Sequence, residues 1–511
     1  MFKPTGLRVA LLAASVAGAG ALGTVPAFAG GTLKLGLSQD AGSWDPIDTF
    51  LVAWAAVSTN IYDGLTYRGP DMQLVPGLAL SWEELDDGKR LRFKLRQGVK
   101  FHNGEPFNAE AVKFTFERLL GEEGAKGPQR SNYIVIEKVE VVDDYTVDFQ
   151  LKAPDPVLLT KLAGYGAMIV PPQYIKEKGE DYFNTHPVGT GPFKFVTYEP
   201  KVAINLEAFA EHWGGAPKLD KVEYHFISEP STAVAELQTG SVDIVIPPII
   251  PVAMIPTIAA DAKLDVVSIP GPTVDALRFN TQSGITKDVR VRKALIMAVD
   301  RDTIIKSILA GQAEPIASFQ GRLSFGYDPD LKPVPFDPEG AQKLLKEAGV
   351  ASGAKVQIDV RANDATMGEV AQAVAAYLSA VGVEATVKPY ELNVLLNDII
   401  PPGKTGEMFQ QKWGGWTFDF DNTAYSMYHS GEKWNPYEKD PEMDKLLESQ
   451  RNITDRAKRE AILKEVGKYA ADHALEMELY NSNAIFGVNK RVKGFDAPPD
   501  NRLRLTNVTV E

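Results

Sequence analysis

The sequence predicts an α/β protein built as two lobes, and three observations carry that expectation. Residues 31–37 alternate, with Leu33, Leu35 and Leu37 on one face, as a half-buried strand does. Residues 355–360, 367–380 and 383–387 read strand, helix, strand, which is a βαβ unit and implies a parallel sheet. The 511 residues also exceed what one hydrophobic core supports, given roughly one domain per ~150 residues.

The chain opens on a different composition. Lys3 and Arg8 precede an apolar run rich in Ala and Gly over residues 9–25, and Ala27-Phe28-Ala29 supplies a small-x-small cleavage pattern. This predicts a secretory signal peptide over residues 1–29 and a mature chain starting near Gly30, rather than a retained membrane anchor. The sequence contains no Cys, so a lipoprotein anchor and disulfide chemistry are both excluded. The formal charge is −13 before processing, and removing two basic residues makes the rest more acidic. Such a chain is repelled by phosphate backbones and anionic lipid surfaces, so nucleic acid is not an expected partner.

After the opening strand, Leu91, Phe93 and Leu95 alternate in the same way. Asn108 precedes Val112, Phe116 and Leu119 at helical spacing and is expected to cap that helix. Residues 139–151 read as a hairpin turned at Asp143-Asp144. Residues 244–260 are almost wholly apolar, but Pro247, Pro248, Pro251 and Pro256 would break a spanning helix. A buried strand entering a proline-stiffened loop is expected there instead. Asp337-Pro338 starts a helix that Gly349 ends. Residues 408–414 add a strand, and residues 482–488 a strand-like tail expected to return to the first lobe.

Marks of catalysis are missing. There is no G-x-S-x-G elbow. Gly189-Thr190-Gly191 begins like a dinucleotide fingerprint, but Lys194 stands at its third glycine. Gly403-Lys404-Thr405 imitates the end of a phosphate loop, but Asp398 replaces the earlier glycine. The His residues 102, 186, 212, 225, 429 and 473 show no zinc-site pairing. Asp419-Phe420-Asp421-Asn422 resembles the start of a calcium loop, yet Ala424 and Ser430 occupy the positions that need Gly and Glu. Neither an enzyme nor a metal site is expected.

Several stretches carry a resemblance when taken in order. They include Asn60-Ile61-Tyr62-Asp63-Gly64-Leu65, then Val75-Pro76-Gly77-Leu78-Ala79 with Ser81-Trp82, and Phe101-His102-Asn103-Gly104-Glu105-Pro106-Phe107. Pro187-Val188-Gly189-Thr190-Gly191-Pro192-Phe193, Leu237-Gln238-Thr239-Gly240-Ser241-Val242-Asp243 and Asp288-Val289-Arg290-Val291-Arg292 follow. Together they resemble the family 5 extracellular solute-binding proteins, the group containing dipeptide-, oligopeptide- and nickel-binding proteins.

The resemblance implies a hinged, periplasmic-binding-protein-like fold of the cluster C type, with an extra α+β subdomain in the first lobe. Lobe I is expected at 30–279 plus 482–511 and lobe II at 280–481, with hinge residues Asn280, Tyr480 and Asn481. It also implies a cofactor-free, monomeric periplasmic protein. Such a protein captures a peptide or amine-bearing solute and delivers it to the permease subunits of an ABC transporter. An opine, an oligosaccharide or a metal-chelator complex is the alternative ligand, and a hydrolase or a chaperone the alternative class.

The family's W-x-x-D segment is represented by Trp416-Thr417-Phe418-Asp419, whose carboxylate in peptide-binding relatives pairs with the ligand's ammonium. A gapped alignment gives that role to Asp421 instead. Trp413 and Trp416 offer flat surfaces to a ligand. Gln39, Asp40 and Trp44 follow the first strand, where the first lobe contributes contacts. The Arg that holds a dipeptide carboxylate in relatives aligns here with Gly368 and Glu369, and Arg361 lies just upstream without matching. A ligand other than a free dipeptide is therefore expected.

Overall fold

A computed structural model describes residues 30–511, so the signal-peptide reading of residues 1–29 lies outside the described residues. One eleven-stranded sheet runs through the molecule. Its first half contains Thr32–Leu37, parallel to Lys221–Phe226 and to Ile244–Val245, with Ala203–Ala208 and Phe193–Glu199 continuing antiparallel. Its second half contains Ala354–Arg361 parallel to Val383–Tyr390, with Met408–Gly414 alongside. The helix Ala365–Ala380 connects the parallel pair and completes the expected βαβ unit.

Two long antiparallel strands, Leu264–Phe279 and Glu476–Asn489, join the halves. Their pairing is interrupted between Pro270 and Val274. On one side, Ala484, Phe486 and Val488 enter a core with Leu33, Leu35, Trp54 and Tyr224. On the other, Leu277, Phe279, Met477 and Leu479 enter a core with Ile358, Val370 and Leu378. Residues 484–488 thus pack with the opening strand. At the interruption, the Asn481 side-chain amide donates to the carbonyls of Gly271 (2.9 Å) and Thr273 (2.8 Å). Asn280 lies further along, inside the second half, where its amide donates to the Thr405 carbonyl and its own carbonyl accepts from the Thr286 hydroxyl. The break in the first long strand thus precedes the residue that the sequence nominated. Gly271-Pro272 breaks the ladder because Pro has no N–H to donate.

A separate four-stranded antiparallel sheet, in the order Ala79–Leu85, Arg90–Leu95, Thr146–Leu151, Ile136–Asp143, makes the extra α+β unit. The helix Ala109–Leu120 covers it, starting where Asn108 Oδ1 accepts from the Ala111 N–H at 3.2 Å. Phe93, Phe116 and Phe149 meet edge to face in the intervening core. After Ile244–Val245 the chain forms the expected proline loop, which also contains a short helix at Ile255–Ala259.

His102 ties this unit to the loop at Gly189. Its Nε2 donates to the Gly191 carbonyl at 2.9 Å, and its Nδ1 accepts from the Gly189 N–H at 3.3 Å. Burial holds its pKa down to about 4. The unfolded chain takes up a proton near pH 6.5, while the folded chain resists until about 4. Stability is therefore lost as pH falls through that window, by about 3 kcal/mol for a shift of this size. Urea melts between pH 7 and pH 4 are expected to show this loss in the wild type and a correspondingly shallower decline in His102→Asn.

Candidate functional site: a cavity between the lobes

A cavity of about 1010 Å³ opens where the long strands break their pairing. Its floor is Gly271–Thr273 and residues 482–485. One wall comes from the first half: Phe50, Tyr165, the Pro247-Pro248 loop, and the tail residues Asp500, Asn501 and Arg502. The other comes from the second half: Lys412, Trp413, Trp416, Phe418, Lys433 and Trp434.

The second-half wall follows from local geometry. The strand Met408–Gly414 pairs with the first long strand through Val274 opposite Trp413, so Trp413 stands beside the break. It meets Trp434 edge to face at 6.2 Å. Gly414-Gly415 then releases the chain, and Trp416 crosses to the other wall. Its ring lies 6.0 Å from both Phe50 and Tyr165. Gly164 has no side chain because a Cβ there would stand 2.2 Å from the indole. The Arg68 guanidinium adds a polar tie across the gap, donating to the Thr417 carbonyl at 3.0 Å. Trp413 and Trp416, two of the three Trp positions nominated from sequence, therefore line the cavity.

The nominated carboxylates do not. Asp419 is 4% exposed and caps the helix Phe420–Tyr428, accepting from the Asp421 N–H at 3.0 Å. Both of its oxygens are held by Arg459, each at 2.6 Å. Asp421 is held by Arg451 at 2.8 and 3.0 Å and by Gln450, which also accepts from Arg459 Nε at 2.9 Å. The ammonium contact expected of these residues is replaced here by two internal ion pairs. The spacing to Trp416 could not reveal that the helix Arg456–Asp472 folds over Asp419.

The residues after the first strand are also removed from the cavity wall. Trp44 is fully buried, stacked on Phe226 and meeting Tyr198 edge to face. Asp40 accepts from the Tyr198 hydroxyl at 2.7 Å and the Lys201 N–H at 2.8 Å. Gln39 is exposed. Arg361, Gly368 and Glu369 do not line the cavity either.

Four charged side chains do line it: Lys412, Lys433, Asp500 and Arg502. Lys412 lies 3.5 Å from Asp275 and 3.4 Å from Asp364. Burial works against its charge, but the two carboxylates outweigh that and hold its pKa above the usual lysine range. Asp275 also accepts from the Ser482 hydroxyl at 2.7 Å, which links the two long strands to the Lys412 strand. Sequence reading missed the 500–502 tail. The one sequence signal there is Pro498-Pro499 before Asp500-Asn501, which marks a turn without saying what it faces.

The Asp419–Arg459 pair generates a prediction. Asp419→Ala leaves a buried guanidinium unpaired and is expected to destabilise the protein by about 3–5 kcal/mol. The double change Asp419→Leu with Arg459→Met should recover much of that loss. Urea midpoints of the three variants check this, and a silent Asp419→Ala would contradict the geometry.

A model of the bacterial extracellular solute-binding proteins, family 5 Middle, matches residues 73–435. The glutathione-binding protein GsiB of Pectobacterium atrosepticum is 30% identical over 488 residues, covering 93% of each chain. The dipeptide-binding protein of Escherichia coli is 29% identical over 492 residues, 89% of this chain and 90% of that one. Among solved structures, the binding protein AgaA from A. tumefacien R10, in complex with agropinic acid, shares the fold. It is 28% identical, with a TM-score of 0.74 over 94% of this chain and 99% of that one. The two-lobed architecture of cluster C binding proteins is thus common to them. The chain belongs to the family 5 bacterial extracellular solute-binding proteins and has the substrate-binding role of an ABC importer.

Proposed function

We propose that this protein captures a peptide-sized, amino-acid-derived solute between its two halves and carries it, uncleaved, to permease subunits in the inner membrane. The observation that carries this reading is the cavity at the strand break. It is large enough for a small peptide, floored by the two crossing strands, and walled by Trp413 and Trp416 on one side and a polar tail on the other. Glutathione, a dipeptide and agropinic acid are the solutes named for the relatives, and they set the size range to be tested. An oligosaccharide or a metal-chelator complex is the other ligand class.

The hinge lies at Gly271–Thr273 and Asn481. Those residues sit between the two cores and break the ladder. Rotation there would move Trp416 relative to Phe50 and Tyr165, and a solute bridging both walls would shift the population towards the closed form. Among the described residues, Asp500 is the one carboxylate of the cavity lining, and no His lines it. The lining Ser482 hydroxyl donates to the buried Asp275 carboxylate, whose charge Lys412 offsets. The acidic charge supports a protein that does not bind nucleic acid, and a monomer suffices for the mechanism. Cleavage after Ala29 would release the chain into the periplasm.

Three outcomes check this reading. Mass spectrometry of protein secreted from its native host should give Gly30 as the first residue. The same spectrum, taken under native conditions, should show a copurified small solute that remains unchanged on incubation. Product formation would favour a hydrolase, and suppressed aggregation of an unfolded client a chaperone. Gly164→Val drives a side chain into the Trp416 ring. It is expected to weaken solute binding at least tenfold and to enlarge the radius of gyration in solution scattering. Unchanged values would remove Trp416 from the closing contact.

A further inference from the structure

The tail residues 500–502 carry an unbalanced charge. Arg502 is 4% exposed, yet neither of its terminal guanidinium nitrogens has a hydrogen-bond partner. The nearest carboxylate is Asp500, whose Oδ2 lies 3.9 Å from Arg502 Nε and itself accepts no hydrogen bond. The guanidinium stands over the Tyr165 ring, 4.9 Å from its centre, and Tyr165 in turn meets Trp416. The position is rigid. Leu503 and Leu505 are fully buried in the first-half core, and the Leu503 carbonyl accepts from Thr59 Oγ1 at 2.9 Å and Asn60 Nδ2 at 3.0 Å.

A second guanidinium stands behind the first. Arg68 is buried, with Nε and Nη1 unpartnered, and its Nη2 is spent on the Thr160 and Thr417 carbonyls. Burial and then Arg502 pull its pKa down to about 10, so it remains a cation at neutral pH. Asp500 offsets part of this, while Arg504 adds to the repulsion. On the facing wall, Lys433 stands over Trp434 at 4.6 Å, while Lys412 is already balanced by Asp275 and Asp364. The charge left over in the cavity is positive. This reverses the expectation from sequence, in which a carboxylate received a cationic ligand.

A desolvated, unpaired guanidinium costs several kcal/mol and is tolerated where a partner completes it. The planar fork of Arg matches a carboxylate with two parallel hydrogen bonds. Resting on the solute-binding reading above, we propose that Arg502, backed by Arg68, is an acid-recognition subsite of the cavity, and that the transported solute presents a carboxylate to it. The rest of the solute lies across Trp416, Phe50 and Tyr165. A small displacement of Tyr165 on loading would open the two covered nitrogens to the acid.

The test uses the full mature protein. First, the copurified solute is identified. Second, calorimetry compares matched pools of di- and tripeptides and N-carboxyalkyl amino acids, each as free acid and as amide. The expected results are a copurified solute carrying a carboxylate and wild-type binding of acids at least tenfold tighter than of their amides. Arg502→Gln should lose at least tenfold for acids and bring the acid-to-amide ratio close to one. The wild-type comparison stands even where Arg502→Gln fails to fold. A neutral or cationic copurified solute, amides binding as tightly as acids, or an Arg502→Gln protein that keeps the preference would overturn the subsite while leaving the solute-binding reading intact. If no solute copurifies, neither pool binds and scattering shows no change on addition, both readings fall.

Discussion

The structure depends on one pairing: the antiparallel ladder between Leu264–Phe279 and Glu476–Asn489. These two strands pass from the core around Leu33, Trp54 and Phe486 to the core around Ile358, Val370 and Leu479. Each core buries its own apolar surface, so each holds its shape without the other. The ladder breaks at Gly271-Pro272, where the Asn481 amide bonds to the carbonyls on either side of Pro272. A bend localised between rigid bodies costs little packing, because no large side chain has to leave a core. The cavity exists because the two halves cannot pack flush on either side of that break.

Charge is used in two ways around this frame. Away from the cavity, several buried ions are paired. Arg118 is bonded to Asp45 and Glu180, and Asp419 and Asp421 are neutralised by Arg459 and Arg451. These networks orient elements, since a buried ion tolerates only the geometry that pairs it. The second network locks the helix Phe420–Tyr428 to Pro441–Gln450 and Arg456–Asp472, and so fixes the loop that carries Trp416. At the cavity wall the balance is incomplete: Arg502 has only Asp500, 3.9 Å from its Nε, and its terminal nitrogens are unpartnered, as are Nε and Nη1 of Arg68.

Aromatic groups join these two parts. Trp416 belongs by sequence to the second half, but its ring sits with Phe50 and Tyr165 of the first. Tyr165 meanwhile covers Arg502. One chain of contacts therefore runs from the pairing network behind Trp416, across the gap, to the unbalanced guanidinium. A solute entering between Trp416 and Arg502 would sense both halves through that chain.

Local pattern determined much of this protein. Asn108 and Asp337 cap the helices their positions announced, residues 408–414 form the expected strand, and the βαβ unit stands where its periodicities lie. Trp413 and Trp416 reach the cavity because the strand and the Gly414-Gly415 release are local facts. Which charges remain free was decided only by tertiary structure. Asp419 looked available because its partner Arg459 is 40 residues away, and Arg502 looked unremarkable in a short proline-marked tail. Burial and pairing of a charge depend on which distant segments fold over it, and no spacing along the chain encodes that. The break at Gly271–Thr273 was hidden for the same reason, since a strand interruption is defined by its partner strand two hundred residues on.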